Sequence, residues 1–160
     1  MATGYTLKQL VSTVAPAADR EALSRVARQV RHWTALDLLT TLTAKNTGTG
    51  VSRRYSADEV RKAAILVELS HYRIPAPVLE DGFETFTEQW RGRKPWQDAI
   101  SGTKAVYFCL AYNEHIVTFQ LMPAGGVISI LQPKTRLDPE FDLVSAVVIN
   151  LTGLFARLKF

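Results

Sequence analysis

The first half of the chain places its apolar residues at helical spacing. Residues 5–14 carry leucine and valine at i, i+3, i+4 and i+7, which predicts a short amphipathic helix capped by Thr6. Pro16 ends that helix. Asp19 is a good N-cap for a second helix, predicted over 20–35, whose apolar stripe leaves most of its arginines on the opposite side.

Two further helices are predicted downstream. Ser56 and Glu59 have the spacing of a capping box ahead of a helical run of apolar residues, which Pro75 stops. Residues 78–90 then place leucine, phenylalanine and tryptophan on one face. The threonine- and glycine-rich segment 40–50, between the second and third helices, is predicted to be a loop or the two arms of a small β-hairpin.

The second half of the chain changes to strand patterning. Residues 105–112, 115–122 and 127–132 are rich in aromatic and β-branched side chains and are separated by turn sequences, which predicts a three-stranded antiparallel meander. The first of these strands is apolar on both faces, which favours a central position. Asp138-Pro139-Glu140 has the features of a helix start, so a terminal helix is predicted over 141–160.

A basic stretch, Arg91-Gly-Arg-Lys-Pro, lies where helical spacing gives way to strand spacing. We read it as a linker between two domains, residues 1–92 and 93–160. The expected fold class is therefore α+β: a helical N-terminal domain followed by a three-stranded antiparallel sheet with a C-terminal helix.

Positive charge is concentrated in the first half. The chain of 160 residues has a formal net charge of +4; residues 1–75 hold 11 Lys and Arg against 6 Asp and Glu, whereas residues 76–160 hold 8 against 9. This imbalance agrees with contact to phosphates. No apolar run approaches the ~20 residues of a membrane span, and the first residues lack the features of a secretory signal. We therefore expect a cytoplasmic protein that does not associate with a membrane.

Few residues point to catalysis or metal binding. Cys109 is the only cysteine and falls in the middle of a predicted strand, where the role of a small buried apolar residue outweighs that of a nucleophile. His32, His71 and His115 lack metal-ligand spacing. The chain contains neither a P-loop nor a GxGxxG motif. We expect no catalytic residue, metal or cofactor.

An ordered set of short motifs resembles the DNA-binding head of the MerR-type winged helix-turn-helix regulators. Tyr5-Thr6-Leu7 resembles the opening of its first helix, Gln29-Val30-Arg31-His32-Trp33 the end of its recognition helix, and Leu38-Leu39 the pair that follows. Arg53-Arg54-Tyr55-Ser56 and Asp58-Glu59-Val60 resemble the end of the wing and the start of the next helix. The resemblance covers about half of the chain.

The resemblance implies a winged helix-turn-helix that binds double-stranded DNA and regulates transcription. A helix in the major groove needs hydrogen-bond donors on its exposed face, and a wing beside it needs cations that reach phosphates. We expect Trp33 and Tyr55 mainly to pack the helix against the wing, and His32 to pack or contact a phosphate. The second helix is longer than the family's usual recognition helix. The predicted DNA-binding residues are Arg28, Gln29, Arg31, His32, Arg53, Arg54 and Tyr55.

A homodimer is expected because one short head reads too few base pairs, and winged regulators usually double their site by two-fold symmetry. The predicted terminal helix carries an apolar stripe longer than is needed to cover one face of a three-stranded sheet, so part of it could pack against a second chain. The alternative is that the whole stripe is buried within one chain. Asn150 is the polar exception that could set register across a two-fold axis. The predicted dimer interface consists of Leu143, Val147, Leu151, Leu154, Phe155 and Leu158.

Two other functions stay open on the sequence alone. One is an enzyme or ligand-binding domain, and the other is an interaction protein that keeps a winged-helix fold without binding DNA. The C-terminal sheet could bind a small-molecule effector or simply complete the fold. The sequence specifies neither the operator nor the regulated genes, and it does not distinguish an activator from a repressor.

Overall fold

The fold was analysed in a computed structural model, which describes residues 4–43, 52–72, 74, 78–80, 83, 90, 92–112, 117–131 and 145–160. The chain divides into two compact units. The head unit comprises Met1–His71 together with Leu158–Phe160, and the sheet unit comprises Tyr72–Arg157. The division falls between His71 and Tyr72, ahead of the boundary predicted after residue 92.

The head unit begins with a short strand, β1 (Tyr5–Thr6), followed by helix α1 (Leu7–Val14) and helix α2 (Arg20–Ala35). Thr6 caps α1 through a capping box: its hydroxyl accepts from the backbone N–H of Gln9, and the Gln9 side chain accepts from the backbone N–H of Thr6. Asp19 caps α2 by accepting from the backbone N–H of Ala22 at 2.8 Å. Both predicted helices and both predicted caps are confirmed.

Strand β2 (Arg54–Tyr55) and helix α3 (Ala57–His71) follow in the head unit. β2 pairs antiparallel with β1, with Tyr5 opposite Tyr55. The Ser56 hydroxyl accepts from the backbone N–H of Glu59 at 3.2 Å, so the predicted cap of α3 is in place. Helix α3 is buried over most of its surface, which makes it the central helix of the head. Its buried apolar residues are Val60, Ala63, Ala64, Ile65, Leu66, Val67 and Leu69.

The sheet unit is built on three antiparallel strands. They are β3 (Val106–Tyr112), β4 (Val117–Pro123) and β5 (Ser145–Asn150), in the order β4-β3-β5. Phe108 of β3 faces Leu121 of β4 and Ile149 of β5, and all three side chains are buried. A three-stranded antiparallel sheet, the central position of its first strand and the coarse α+β class are confirmed. The predicted meander is wrong, because β3 lies between β4 and β5 and the third strand is not the one predicted over 127–132.

The prediction of a strand over 127–132 is wrong. Residues Ala124–Leu131 form a helix that follows β4 directly, although residue 132 lies outside the described part of the chain. Pro123 has no N–H with which to extend the ladder. Gly126 then lets the helix fold back closely on the strand, because a Cβ at that position would lie 3.1 Å from the Cβ of Met122.

The prediction of one helix over 141–160 is also wrong. The third strand of the sheet, β5, occupies Ser145–Asn150, and a short helix, Leu151–Ala156, follows it. Val147 and Ile149 are buried while Asn150 is exposed. This alternation with period two and the β-branched run favour a strand beside β3. The predicted helix start at Asp138-Pro139-Glu140 lies outside the described residues.

Asn150 has a different role from the one predicted for it. Its side-chain oxygen accepts from the backbone N–H of Gly153 at 2.9 Å and caps the short final helix. Next to it, the Thr152 hydroxyl accepts from the backbone N–H of Val106 at 3.0 Å and donates to the carbonyl of Lys104 at 2.8 Å. These contacts fix the start of the final helix to the start of β3.

Asn150→Ala is expected to lower the free energy of unfolding of the sheet unit by about 1 kcal/mol, since it removes a helix N-cap. Urea unfolding followed by circular dichroism measures the change. Gln97→Ala is a matched control because Gln97 is an exposed polar residue inside a helix. An effect of Asn150→Ala no larger than that of the control would contradict the capping role.

One helix was missing from the sequence-based prediction. Residues Lys94–Ser101, with Pro95 in the first turn, form a helix that was assigned in part to the basic linker. Trp96 of this helix packs edge-on against Phe155 of the final helix, with ring centroids 5.1 Å apart. Most of the helix predicted over 78–90 lies outside the described residues; residues 78–80, 83 and 90 are helical.

Candidate nucleic-acid interface

Helix α2 separates its apolar and basic side chains onto two faces. Val26, Val30 and Trp33 are buried in the head unit. The opposite face is exposed and carries four arginines and a histidine against one carboxylate, Glu21. The helix has 16 residues, so this face runs for about 24 Å. Its cationic residues are Arg20, Arg25, Arg28, Arg31 and His32.

The two ends of the segment between α2 and α3 lie side by side. The backbone N–H of Leu42 donates to the carbonyl of Arg54 at 2.7 Å, and the N–H of Arg54 donates to the Thr43 hydroxyl at 3.3 Å. This pairing is what a hairpin needs at its base. The intervening residues 44–51, which include most of the segment predicted as a loop or hairpin, lie outside the described part of the chain.

The side chains of Arg54 and Tyr55 point in opposite directions, as neighbours on a strand do. Arg54 is exposed, and its guanidinium donates to the carbonyl of Gly4 at 3.1 Å, which restrains it at the surface. Tyr55 is fully buried, and its hydroxyl lies 3.1 Å from the hydroxyl of Thr34 in α2. The packing role that the sequence indicated for Tyr55 is confirmed, and its fully buried side chain offers no surface to DNA.

A buried ion pair lies at the start of α3. Glu59 and Lys62 are 2% and 5% exposed, and Oε1 of Glu59 lies 3.1 Å from Nζ of Lys62. The other carboxylate oxygen of Glu59 accepts from the backbone N–H of Thr40 at 2.8 Å. Thr40 comes directly after the buried pair Leu38 and Leu39. Glu59 therefore ties α3 to the residue at which the 40–53 segment begins.

The structure places the predicted DNA-binding residues in the head unit with different exposures. Arg28, Arg31 and His32 are exposed on α2, whereas Gln29 is half-buried at the edge of that face. Arg53 is half-buried just before β2. The exposed residues Arg20 and Arg25 belong to the same face of α2 but were not among the predicted site residues; their position opposite the apolar stripe was the available signal.

The described residues of the predicted dimer interface lie in the core of their own chain. Val147 is in β5, Leu151, Leu154 and Phe155 are in the final helix, and all four are at most 8% exposed. Leu158 is buried with the head unit. Leu143 lies outside the described residues. These residues do not form one stripe on a single helix, because residues Ser145–Asn150 form a strand.

Three further observations bear on other functions. Cys109 is buried in β3, and burial raises the pKa of its thiol, which disfavours the nucleophilic thiolate. Among the described residues, no three His, Cys, Asp or Glu side chains cluster in a way that could hold a metal ion. No helix in that part of the chain is both long and apolar enough to cross a membrane.

Comparisons with protein-family models and with curated protein sequences find no match for this chain.

Proposed function

We propose that the head unit binds double-stranded DNA, and that the protein is a sequence-specific transcriptional regulator of MerR-like type. In this proposal α1 and α2 form the helix-turn-helix, α2 enters the major groove, and the segment between α2 and β2 is the wing. The observation that carries it is the exposed face of α2, with its four arginines and His32 opposite a buried apolar stripe.

Two features of the head unit support a wing beside that helix. The ends of the 42–54 segment pair with each other, and β2 pairs with β1, which leads directly into α1. The contact between Tyr55 and Thr34 brings β2 to the last turn of α2. Arg54 then presents a cation at the surface, where it could reach a phosphate.

The proposal includes a homodimer that acts in the cytoplasm. One head reads only a few base pairs, so two-fold pairing would double the recognised site. The interface must involve surfaces other than Val147, Leu151, Leu154 and Phe155, because the chain buries these itself.

Binding to duplex DNA tests the proposal. With fluorescence anisotropy on a pool of duplexes with a randomised core, the logarithm of the association constant is expected to fall linearly with the logarithm of salt concentration. If Arg53 and Arg54 alone contact phosphates, the slope is about −1.8, and each further cation that contacts a phosphate adds about −0.9. Sequencing of the selected duplexes then tests for a preferred sequence.

The matched control is a variant with Arg93→Ala and Lys104→Ala, which removes two exposed cations from the sheet unit. It should keep the affinity and slope of the wild type. Absence of duplex binding at about 50 mM salt, where electrostatic binding is strong, would overturn the proposal. That result would favour an interaction or ligand-binding protein with a related fold.

A further inference from the structure

The geometry points to Tyr55 and Glu59 as positioning residues for DNA binding. They fix the two described ends of the 40–55 segment, residues 40–43 and 52–55, to two different helices, and so determine how Arg53 and Arg54 are presented to phosphates. This inference rests on the proposed function, because it assigns these two arginines a part in holding DNA.

The end of the segment at β2 is fixed by a chain of buried hydroxyl groups. The Thr34 hydroxyl donates to the carbonyl of Val30 at 2.7 Å. Since a hydroxyl has one proton to give, the Tyr55 hydroxyl donates to Thr34 across their 3.1 Å contact. Both side chains are at most 1% exposed. Water does not compete for this link, which sets the distance between β2 and the end of α2.

The other end of the segment is fixed by the carboxylate of Glu59. Its contact with the backbone N–H of Thr40 is 2.8 Å long. A charged acceptor makes such a bond stronger than a neutral one, and Lys62 balances the buried charge. A buried ion pair adds little net stability compared with apolar residues of similar volume. The pair of Glu59 and Lys62 therefore fits a positioning role better than a stabilising one.

The two links act together because the ends of the segment are also joined to each other through Leu42 and Arg54. Tyr55 fixes the position of the hydrogen-bonded residues Leu42 and Arg54 relative to α2, and Glu59 fixes their position relative to α3. Arg53 and Arg54 lie between the two links along the chain. Loss of either link should therefore let the arginines leave the phosphates without disturbing the exposed face of α2.

The experiment compares two double variants that differ only in the acceptor offered to Thr40. Glu59→Gln with Lys62→Met keeps an amide oxygen, whereas Glu59→Met with Lys62→Met removes the acceptor and is equally neutral. We expect the first to retain the salt slope of wild-type DNA binding and the second to lose between about 0.9 and 1.8 in its magnitude, for one or two phosphates.

Tyr55→Phe tests the other link, because it removes only the hydroxyl and leaves Thr34 bonded to Val30. It should also reduce the magnitude of the slope by about 0.9 or more. Tyr72→Phe is its control, since Tyr72 is 56% exposed. Hydrogen exchange of the Thr40 amide is measured on the same proteins without DNA. Exchange of this amide should become about tenfold faster in the variant with Glu59→Met and Lys62→Met (the Met/Met variant). It should stay slow in the variant with Glu59→Gln and Lys62→Met.

The outcomes separate the two hypotheses. Wild-type slopes in both Tyr55→Phe and the Met/Met variant would overturn the positioning role and leave the proposed function intact. A wild-type protein that does not bind duplex DNA would overturn the proposed function and the positioning role together. Equal exchange of the Thr40 amide in the two double variants would overturn the link through Glu59, whatever DNA binding shows.

Discussion

Replacing Arg28, Arg31, Arg53 and Arg54 together by alanine is expected to lower the affinity for duplex DNA by at least about a thousandfold. The estimate takes about 1 kcal/mol for each lost contact, at the low end of the range for such contacts. Arg28, Arg31 and Arg54 are exposed in the head unit, and none of the four is in its buried core. The variant should therefore fold, which circular dichroism can check.

Substitution of Arg53 or Arg54 should affect DNA binding differently from substitution of Arg28 or Arg31. Arg53→Ala or Arg54→Ala should weaken binding to all sequences equally and reduce the salt slope by about 0.9 each, because these residues are proposed to contact phosphates. Arg28→Ala or Arg31→Ala should relax the sequence preference at a read base by about 1–3 kcal/mol. A folded quadruple variant that binds as tightly as the wild type would show that the site lies elsewhere.

Glu59→Met alone is expected to lower the free energy of unfolding of the head unit by about 3–5 kcal/mol, because it leaves the buried ammonium of Lys62 without its carboxylate. Adding Lys62→Met should restore most of that loss, since the second change removes the buried charge. The two substitutions are therefore expected to be strongly non-additive.

Urea unfolding can isolate this effect in the head unit. Trp33 is buried there, whereas the other two tryptophans, Trp90 and Trp96, belong to the sheet unit. All variants are compared in a protein that carries Trp90→Phe and Trp96→Phe, so that tryptophan fluorescence reports the surroundings of Trp33 alone. If Glu59→Met and the double variant lost equal stability, the pairing of Glu59 with Lys62 would contribute nothing to folding.

The helices of the head unit could be predicted from the sequence because their signals are local. Thr6 and Asp19 lie at the correct distance before an amphipathic run, and each side chain makes the hydrogen bond expected of a cap. The same holds for Ser56 at the start of α3. A capping residue and a stripe of period 3.6 contain most of the information that fixes where such a helix begins.

The sheet unit was predicted less well because the competing signals there depend on distant partners. The run Val127–Ile130 is too short and too apolar to distinguish a strand from a buried helix. Val147-Val148-Ile149 has strand propensity inside what looked like a long apolar stripe. Its pairing with β3, tens of residues away along the chain, decides the outcome, and no local pattern contains that pairing.

In the candidate site, too, features that depend on local sequence could be predicted, whereas contacts between distant residues could not. The basic face of α2 follows from helical spacing, so Arg28 and Arg31 could be predicted as exposed. Packing of Tyr55 was expected, but its partner Thr34 and the contact of Glu59 with Thr40 could not be predicted, because each pair joins residues 19 or more positions apart. Sequence reasoning identified Glu59 as part of a capping box and of the helix start that follows the wing, and it did not single out Lys62.

The head unit also includes residues from the far end of the chain, which affects the order in which it can be completed during synthesis. The ring of Phe160 packs edge-on against Tyr5 with centroids 5.8 Å apart, and the guanidinium of Arg61 lies 4.6 Å from the centre of the same ring. The ribosome makes His71 roughly 4 to 18 seconds before Phe160, at typical elongation rates. During that interval α1, α2 and α3 can form, but Tyr5 and Arg61 lack this partner. The head unit therefore gains its full set of contacts only after the whole sheet unit has been translated.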